Sequence, residues 1–126
     1  MSKTVIYAAQ APAPIGPYSQ AIAAGNMLFL SGQIAIDQSK GTIVNASIEA
    51  ETEQVMNNLK AILTAAGLTF ANVVKTSIFL KSMDDFAKVN EVYEKHFADQ
   101  PPARETVEVS RLPKDVRVEI SCIAIR

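Results

Sequence analysis

Val116-Arg117-Val118-Glu119-Ile120-Ser121-Cys122-Ile123-Ala124-Ile125 is the stretch that decides the fold. It is rich in β-branched residues, holds no glycine or proline, and alternates, which predicts a strand over 116–125. Side chains in a strand point alternately to opposite faces. Val118, Ile120, Cys122 and Ala124 therefore share one face, and Arg117, Glu119, Ser121, Ile123 and Ile125 share the other. The same division is predicted in two more strands. Over 27–36, Leu28, Leu30, Ile34 and Ile36 oppose Phe29, Ser31 and Gln33; over 73–81, Val74, Thr76, Ile78 and Leu80 oppose Lys75, Ser77 and Phe79. A sheet of such strands has one face to bury under helices and one mixed face, too apolar to leave in water.

Further strands are predicted over 4–7, 19–23 and 106–110. The proline-bearing piece from Ala11 to Pro17 reads as a loop, stiffened and short of ladder donors. Val55, Leu59, Ile62, Leu63 and Ala66 recur at helical spacing and predict a helix over 48–66. Glu49, Glu51 and Glu53 lie in its first turns, where the dipole favours anions, and Gly67 is its expected stop. Phe86, Val89, Tyr93 and Phe97 predict a second helix over 84–97, with Ser82 and Asp85 as its capping box. The order β-β-β-α-β-α-β-β gives an α+β class: one domain spanning 1–126, a mixed sheet, and two helices packed on one face. Two helices cover only the apolar face, so the mixed face is expected to be buried by oligomerisation.

The 126 residues carry a net charge of −1 and a pI of about 5.8, with no basic patch, so no nucleic-acid partner is expected. Cys122 is the only cysteine and His96 the only histidine, which leaves no disulfide and no thiol- or histidine-rich metal site. No phosphate loop or dinucleotide fingerprint occurs, so no cofactor is expected. The chain has no basic-then-apolar leader pattern and no run of 18 apolar residues, so a cytoplasmic, membrane-free protein is expected.

Two residues stand out as chemistry. Arg104 follows Pro101-Pro102-Ala103 and is expected just before a strand; Glu119, fifteen positions on, lies within one. An arginine fork holds a carboxylate in a fixed plane, and a nearby glutamate handles water or a proton. Taken together they suggest a site for a small carboxylate-bearing substrate. Lys75, on the mixed face, is expected to pair with Glu119, and Cys122 to serve as a small core hydrophobe.

Ile15-Gly16-Pro17-Tyr18-Ser19-Gln20-Ala21, Ser31-Gly32-Gln33, Val74-Lys75-Thr76, Asp85-Phe86, Val89-Asn90-Glu91-Val92-Tyr93, Pro102-Ala103-Arg104 and Leu112-Pro113-Lys114-Asp115 run in order along nearly the whole chain. Together they resemble the signature of the RidA/YjgF family, the reactive-intermediate imine and enamine deaminases. The resemblance implies a chorismate-mutase-like fold assembled as a homotrimer with its sheets around a central barrel, and sites between subunits. It implies hydrolysis of short 2-imino or 2-enamino acids (2-iminobutanoate, 2-iminopropanoate), released by pyridoxal-phosphate enzymes, to 2-oxo acids and ammonia. In that reading Arg104 grips the carboxylate; Ser31, Gly32, Thr106 and Asn90 complete the binding site; Glu119, with Tyr18, moves water and protons. The rival readings are a non-catalytic binder of small carboxylates, an RNA-cleaving translation inhibitor and a chaperone. Three residues depart from the family pattern: Glu105 where a small residue is usual, Thr106 where many members have cysteine, and Ser121 where glutamate is usual.

Overall fold

The computed structural model describes residues 2–126. In chain order the elements are β1 (Thr4–Ile6), β2 (Ala21–Ala24), β3 (Met27–Gln33), β4 (Ile36–Asp37), β5 (Thr42–Ile43), α1 (Ile48–Ala65), β6 (Val73–Leu80), α2 (Phe86–His96), β7 (Ala103–Glu108) and β8 (Val118–Ile125). Six strands form one sheet in the order β1-β2-β3-β8-β6-β7, and β4 with β5 makes a separate small hairpin. Only β6 and β7 run parallel, joined through α2; all other neighbours are antiparallel. The expected α+β class, with a mixed sheet and two helices, is what the chain adopts. The β4–β5 hairpin is an addition, since 27–36 does not run on as one strand.

The core lies between the sheet and the helices. Leu28 and Leu30 of β3, Ile78 and Leu80 of β6, and Val118, Ile120, Cys122 and Ala124 of β8 are buried against Val55, Leu59, Ile62 and Leu63 of α1 and Val89 and Tyr93 of α2. Cys122 sits among them as expected, and burial pushes its thiol up to about 12. Strict alternation fails at two places. Between Leu30 and Gln33 the β3–β8 register shifts, so that Ser31 and Gly32 face Ser121 alone. That bulge turns Gln33 into the core and ends the strand, so Gln33 is buried where Ile34 was expected to be. A second shift between Val73 and Lys75 buries Val73 and exposes Val74.

The helix ends differ from expectation in instructive ways. Gly67 does stop α1, at a positive φ of 76°, with Leu68 N–H returning to the Leu63 carbonyl. Ser82 caps a 3-10 turn (Met83–Asp85) by accepting from Asp84 N–H, and α2 begins only at Phe86 without a side-chain cap. Glu51 is no surface carboxylate serving the dipole. It is buried, accepts from Arg117 Nε at 2.8 Å, and takes the N–H groups of Arg117 and Val118 at 2.7 and 3.2 Å. One carboxylate thus ties α1 to the start of β8. Gln20 does the same for the proline loop, bonding Ala8 N–H and the carbonyls of Ala8 and Pro12.

Among the described residues neither helix packs on the other sheet face. Phe29, Val107 and Ile125 stay exposed there, with Phe29 at 41%. Among the described residues no helix is long and apolar enough to cross a membrane.

Candidate functional site

Arg104 lies inside β7 and not ahead of it, because pairing with β6 begins at Ala103. It is set against Thr76 of β6, which faces Cys122 of β8, which faces Leu30 of β3. Residues in one such row share a sheet face, and Thr76, Cys122 and Leu30 are all buried. Arg104 therefore points to the helix side, at the sheet's edge. Its Nη1 donates to Asn90 Oδ1 at 2.8 Å, and its guanidinium carbon lies 5.0 Å from the centre of the Tyr93 ring and 5.6 Å from that of Phe86. Phe86, Asn90 and Tyr93 are spaced to share one face of α2, which is why one helix supplies all three contacts. Burial raises the Tyr93 phenol's pKa, against the opposing pull of its Thr76 bond and of the Arg104 charge.

Thr106 lies two residues further along β7, on the same face, opposite buried Ile78. Its hydroxyl is the one buried side-chain polar atom without a hydrogen-bond partner among the described residues. An orphaned hydroxyl costs about 1–3 kcal/mol, so something that completes the site is wanted there. A cavity of about 570 Å³ opens beside Arg104, walled by Asn90, Tyr93, Glu94, Phe97, Ala98 and Pro101. That volume lies within the range of small-molecule pockets.

Glu119 does not join this group. Its row runs through Phe79 of β6 to Val107 of β7, on the uncovered face. Two strands and three residue positions separate it from Arg104, about 10 Å in each direction and roughly 14 Å between Cα atoms. The two side chains then diverge to opposite sides of the sheet. Within one chain the expected Arg104–Glu119 site does not form.

Glu119 has neighbours of its own. It lies across Gly32, where an added Cβ would sit 2.8 Å from the Glu119 Cδ. The glycine in the bulge is thus a close approach of a side chain to backbone. Burial alone moves the Glu119 carboxyl above its usual range, with no hydrogen bond or charge opposing it. Lys75 is not its partner. Lys75 Nζ pairs with Glu105 Oε1 at 2.8 Å, and Ser77 also donates to that carboxylate, which holds the Glu105 pKa low. Glu105 therefore sits on the opposite face from Arg104, away from its guanidinium.

Ser31 Oγ donates to the Ser19 carbonyl at 2.6 Å, and Ser31 N–H to that of Gln20. Its hydroxyl proton is thus spent on fixing the loop that carries Tyr18. Tyr18 is exposed, its hydroxyl only 3.4 Å from Ile15 N. His96, the only histidine, meets Glu53 Oε1 at 3.0 Å and packs on Phe70.

The residues named from sequence thus fall into two separate groups. Arg104, Asn90 and Thr106 gather on the helix side at the β7 edge. Glu119, Gly32 and Ser31 gather on the open face between β3 and β8, with Tyr18 on the adjoining loop. The sequence places Tyr93 and Phe86 in the apolar stripe of the second helix and Thr76 on a strand's apolar face, and assigns none of the three to the site. The signal was present in Thr76, a polar residue alternating with core positions.

The family model described as Endoribonuclease L-PSP matches residues 8–126. A RutC family protein of Pyrococcus horikoshii is 56% identical over 124 residues, covering 98% of each chain. Reactive Intermediate Deaminase A, chloroplastic, of Arabidopsis thaliana is 46% identical over 124 residues, covering 98% of this chain and 66% of that one. The crystal structure of E. coli TdcF with bound serine superposes with a TM-score of 0.94 at 40% identity, covering 98% of both chains. On the matched model, on these identities over nearly the whole length and on the shared fold, the chain belongs to the RidA/YjgF family.

Proposed function

We propose that the protein hydrolyses short 2-imino and 2-enamino acids, such as 2-iminobutanoate and 2-iminopropanoate, to 2-oxo acids and ammonia. The carrying observation is an arginine with no ion pair among the described residues, its guanidinium carbon lying over two aromatic rings beside an unpartnered Thr106 hydroxyl and an open cavity. That arrangement suits a small planar carboxylate, and a relative's structure with bound serine supports a ligand of that kind.

The chemistry is short because an iminium carbon is already electrophilic. Water adds to that carbon and loses a proton to the Glu119 carboxylate, giving a carbinolamine. Glu119 returns the proton to nitrogen; the carbinolamine hydroxyl then gives its proton back to the Glu119 carboxylate as the carbonyl forms, the C–N bond breaks and ammonia leaves. A carboxyl whose pKa is raised by burial is a stronger base, and more of its acid form is populated near neutrality to return the proton. Tyr18 helps hold the attacking water. Because Arg104 and Glu119 occupy opposite faces of one sheet, the reading requires assembly. Three copies turn their open faces toward a shared barrel, as in chorismate-mutase-like trimers, and the Arg104 half-site of one copy meets the Glu119 half-site of its neighbour. The expected setting is the cytoplasm, beside the pyridoxal-phosphate dehydratases that release such imines.

The test couples a threonine dehydratase to semicarbazide trapping of surviving imine. Wild type should suppress the adduct, and Arg104→Ala and Glu119→Ala should not. Phe29→Asp, placing a charge on the open face, should yield monomers with Arg104 intact but no activity. Wild-type protein that binds 2-oxobutanoate yet leaves the adduct unchanged would make the chain a carboxylate-binding protein. Cleavage of RNA by wild type and not by Arg104→Ala would move the function to nucleic acid, against the net charge of −1.

A further inference from the structure

We infer that Tyr93, Thr76 and Phe86 are positioning residues that fix the plane of the Arg104 guanidinium; the inference rests on Arg104 being the carboxylate anchor. An arginine side chain has many rotamers, and a fork that must meet a carboxylate edge-on gains nothing from its donors until its plane is set. Asn90 takes one of the five N–H groups and leaves the rest for a ligand. One hydrogen bond fixes a point but not a plane. The faces of Tyr93 and Phe86, 5.0 and 5.6 Å from the guanidinium carbon, supply the plane.

Tyr93 is itself held. Its hydroxyl lies 2.6 Å from Thr76 Oγ1, and its ring meets Phe97 at 4.7 Å between centres. Thr76 and Tyr93 are only 1% and 5% exposed, so this bond is sheltered from water. Thr76 is also the residue paired with Arg104 across the parallel β6–β7 ladder. The contacts close a ring: Arg104 backbone to Thr76 backbone, Thr76 hydroxyl to Tyr93 hydroxyl, Tyr93 ring back to the Arg104 guanidinium. Both ends of the anchor are referred to one register, so the guanidinium is placed relative to the strand that bears it. The seat is made of neutral groups, and Glu94, the carboxylate on the cavity wall, makes no ion pair with the guanidinium, which leaves its donors open to an incoming anion.

Tyr93→Phe keeps the ring and removes the hydroxyl; Thr76→Val keeps the shape and removes its partner. Each variant, and the pair, would be assembled as the native oligomer. Three readouts follow: Kd for 2-oxobutanoate, Kd for its neutral amide, and the side-chain Nε–H signal of Arg104 in an 15N spectrum. Each single variant should weaken 2-oxobutanoate by about three- to tenfold. The double variant should be no worse than the weaker single, because both remove one bond. Affinity for the amide should hold, KM for an imino acid should rise with kcat little changed, and the Arg104 signal should move or broaden. A fall in Tm with unchanged 2-oxobutanoate affinity and an unchanged Arg104 signal would make the pair merely structural and overturn the inference. Additive losses in the double variant would overturn it as well. A wild type without affinity for 2-oxobutanoate removes the anchor and the seat with it. Wild-type binding with the expected dependence but no imine hydrolysis would sink the deaminase reading and leave the seat standing.

Discussion

Gly32→Ala is the perturbation that reads the Glu119 half-site most directly. Gly32 does not have a left-handed backbone, so alanine is permitted there, and removing glycine from a strand is worth about 0.5–1 kcal/mol in its own right. The cost falls on Glu119. The new methyl group would sit 2.8 Å from its Cδ and 3.0 Å from its Cγ, well inside contact distance. The side chain must swing aside by more than half an ångström, and a misplacement near 1 Å costs about a hundredfold in rate. Gly32→Ala is therefore expected to lower kcat by about ten- to a hundredfold while Tm holds or rises. The assay is imine trapping at saturating substrate, with the oligomer's mass measured in parallel so that lost assembly is not read as lost chemistry. The decisive comparison is Gly32→Ala in a Glu119→Ala background, where the second change should do nothing further. An additive loss there, or wild-type kcat in an assembled Gly32→Ala protein, would refute the claim that the bulge makes room for a working carboxylate.

Arg104→Lys keeps the charge but loses the planar fork, its aromatic seat and the bidentate geometry, so kcat/KM should fall by about ten- to a hundredfold, mostly through KM. Unchanged KM would remove Arg104 as the carboxylate anchor. Glu51→Ala leaves the Arg117 guanidinium and two backbone N–H groups without their shared acceptor. It should destabilise the fold by about 3–5 kcal/mol in denaturant titration, and a cost below 1 kcal/mol would mean the tie is dispensable. For Glu119, a carboxyl whose folded pKa lies above its ordinary 4.5 binds more protons in the native state than unfolded. Its penalty is absent well below 4.5, develops as pH rises through that value to the higher folded pKa, and is complete above it. Glu119→Gln should consequently stabilise the protein at neutral pH and lose that advantage in acid; an advantage independent of pH would contradict the burial argument.

The parts of the fold legible in the sequence were those where one physical rule acted alone. Alternation in 118–125 is undisturbed, and Val118, Ile120, Cys122 and Ala124 are all buried. Where a local irregularity intervened, alternation misled: one extra residue at Ser31-Gly32 moved Gln33 inward, and a shift near Val73 turned Val74 out. Glu51 carried a readable signal that dipole reasoning hid. It stands four residues before Val55 and eight before Leu59, on the apolar stripe, where a carboxylate must find donors. Of the site, Arg104 and Asn90 were named together and are bonded together. The expected pairing of Lys75 with Glu119 failed because the parallel β7 strand, whose register the sequence does not declare, brings Glu105 beside Lys75 first. Tyr93 was read as core, which it is; that its hydroxyl and ring also hold Arg104 depends on a contact between α2 and β7 visible only in three dimensions.

The separation of Arg104 from Glu119 is itself an argument about assembly. Fifteen residues along the chain, they are linked by the turn at Leu112 to Asp115, which lets β8 return between β3 and β6 instead of beside β7. In-row residues share a face, so the odd number of positions between their rows places the two side chains on opposite sides whatever rotamers they take. No side-chain movement inside one copy can bring a guanidinium and a carboxylate through a sheet. A ligand that needs both must therefore be held between copies. Under the proposed assembly three features of the described residues share one cause: Phe29 and Ile125 half-exposed on a face that neither helix covers, an orphaned Thr106 hydroxyl at the sheet edge, and a carboxyl desolvated without a partner. Each is a surface that a neighbouring copy would complete in the proposed assembly. Activity should accordingly follow the concentration of the oligomer, and mixing Arg104→Ala with Glu119→Ala chains should restore sites that neither variant forms alone. Complementation in the mixed oligomer requires that the two residues come from different copies, and its absence in verified mixed oligomers would place both in one.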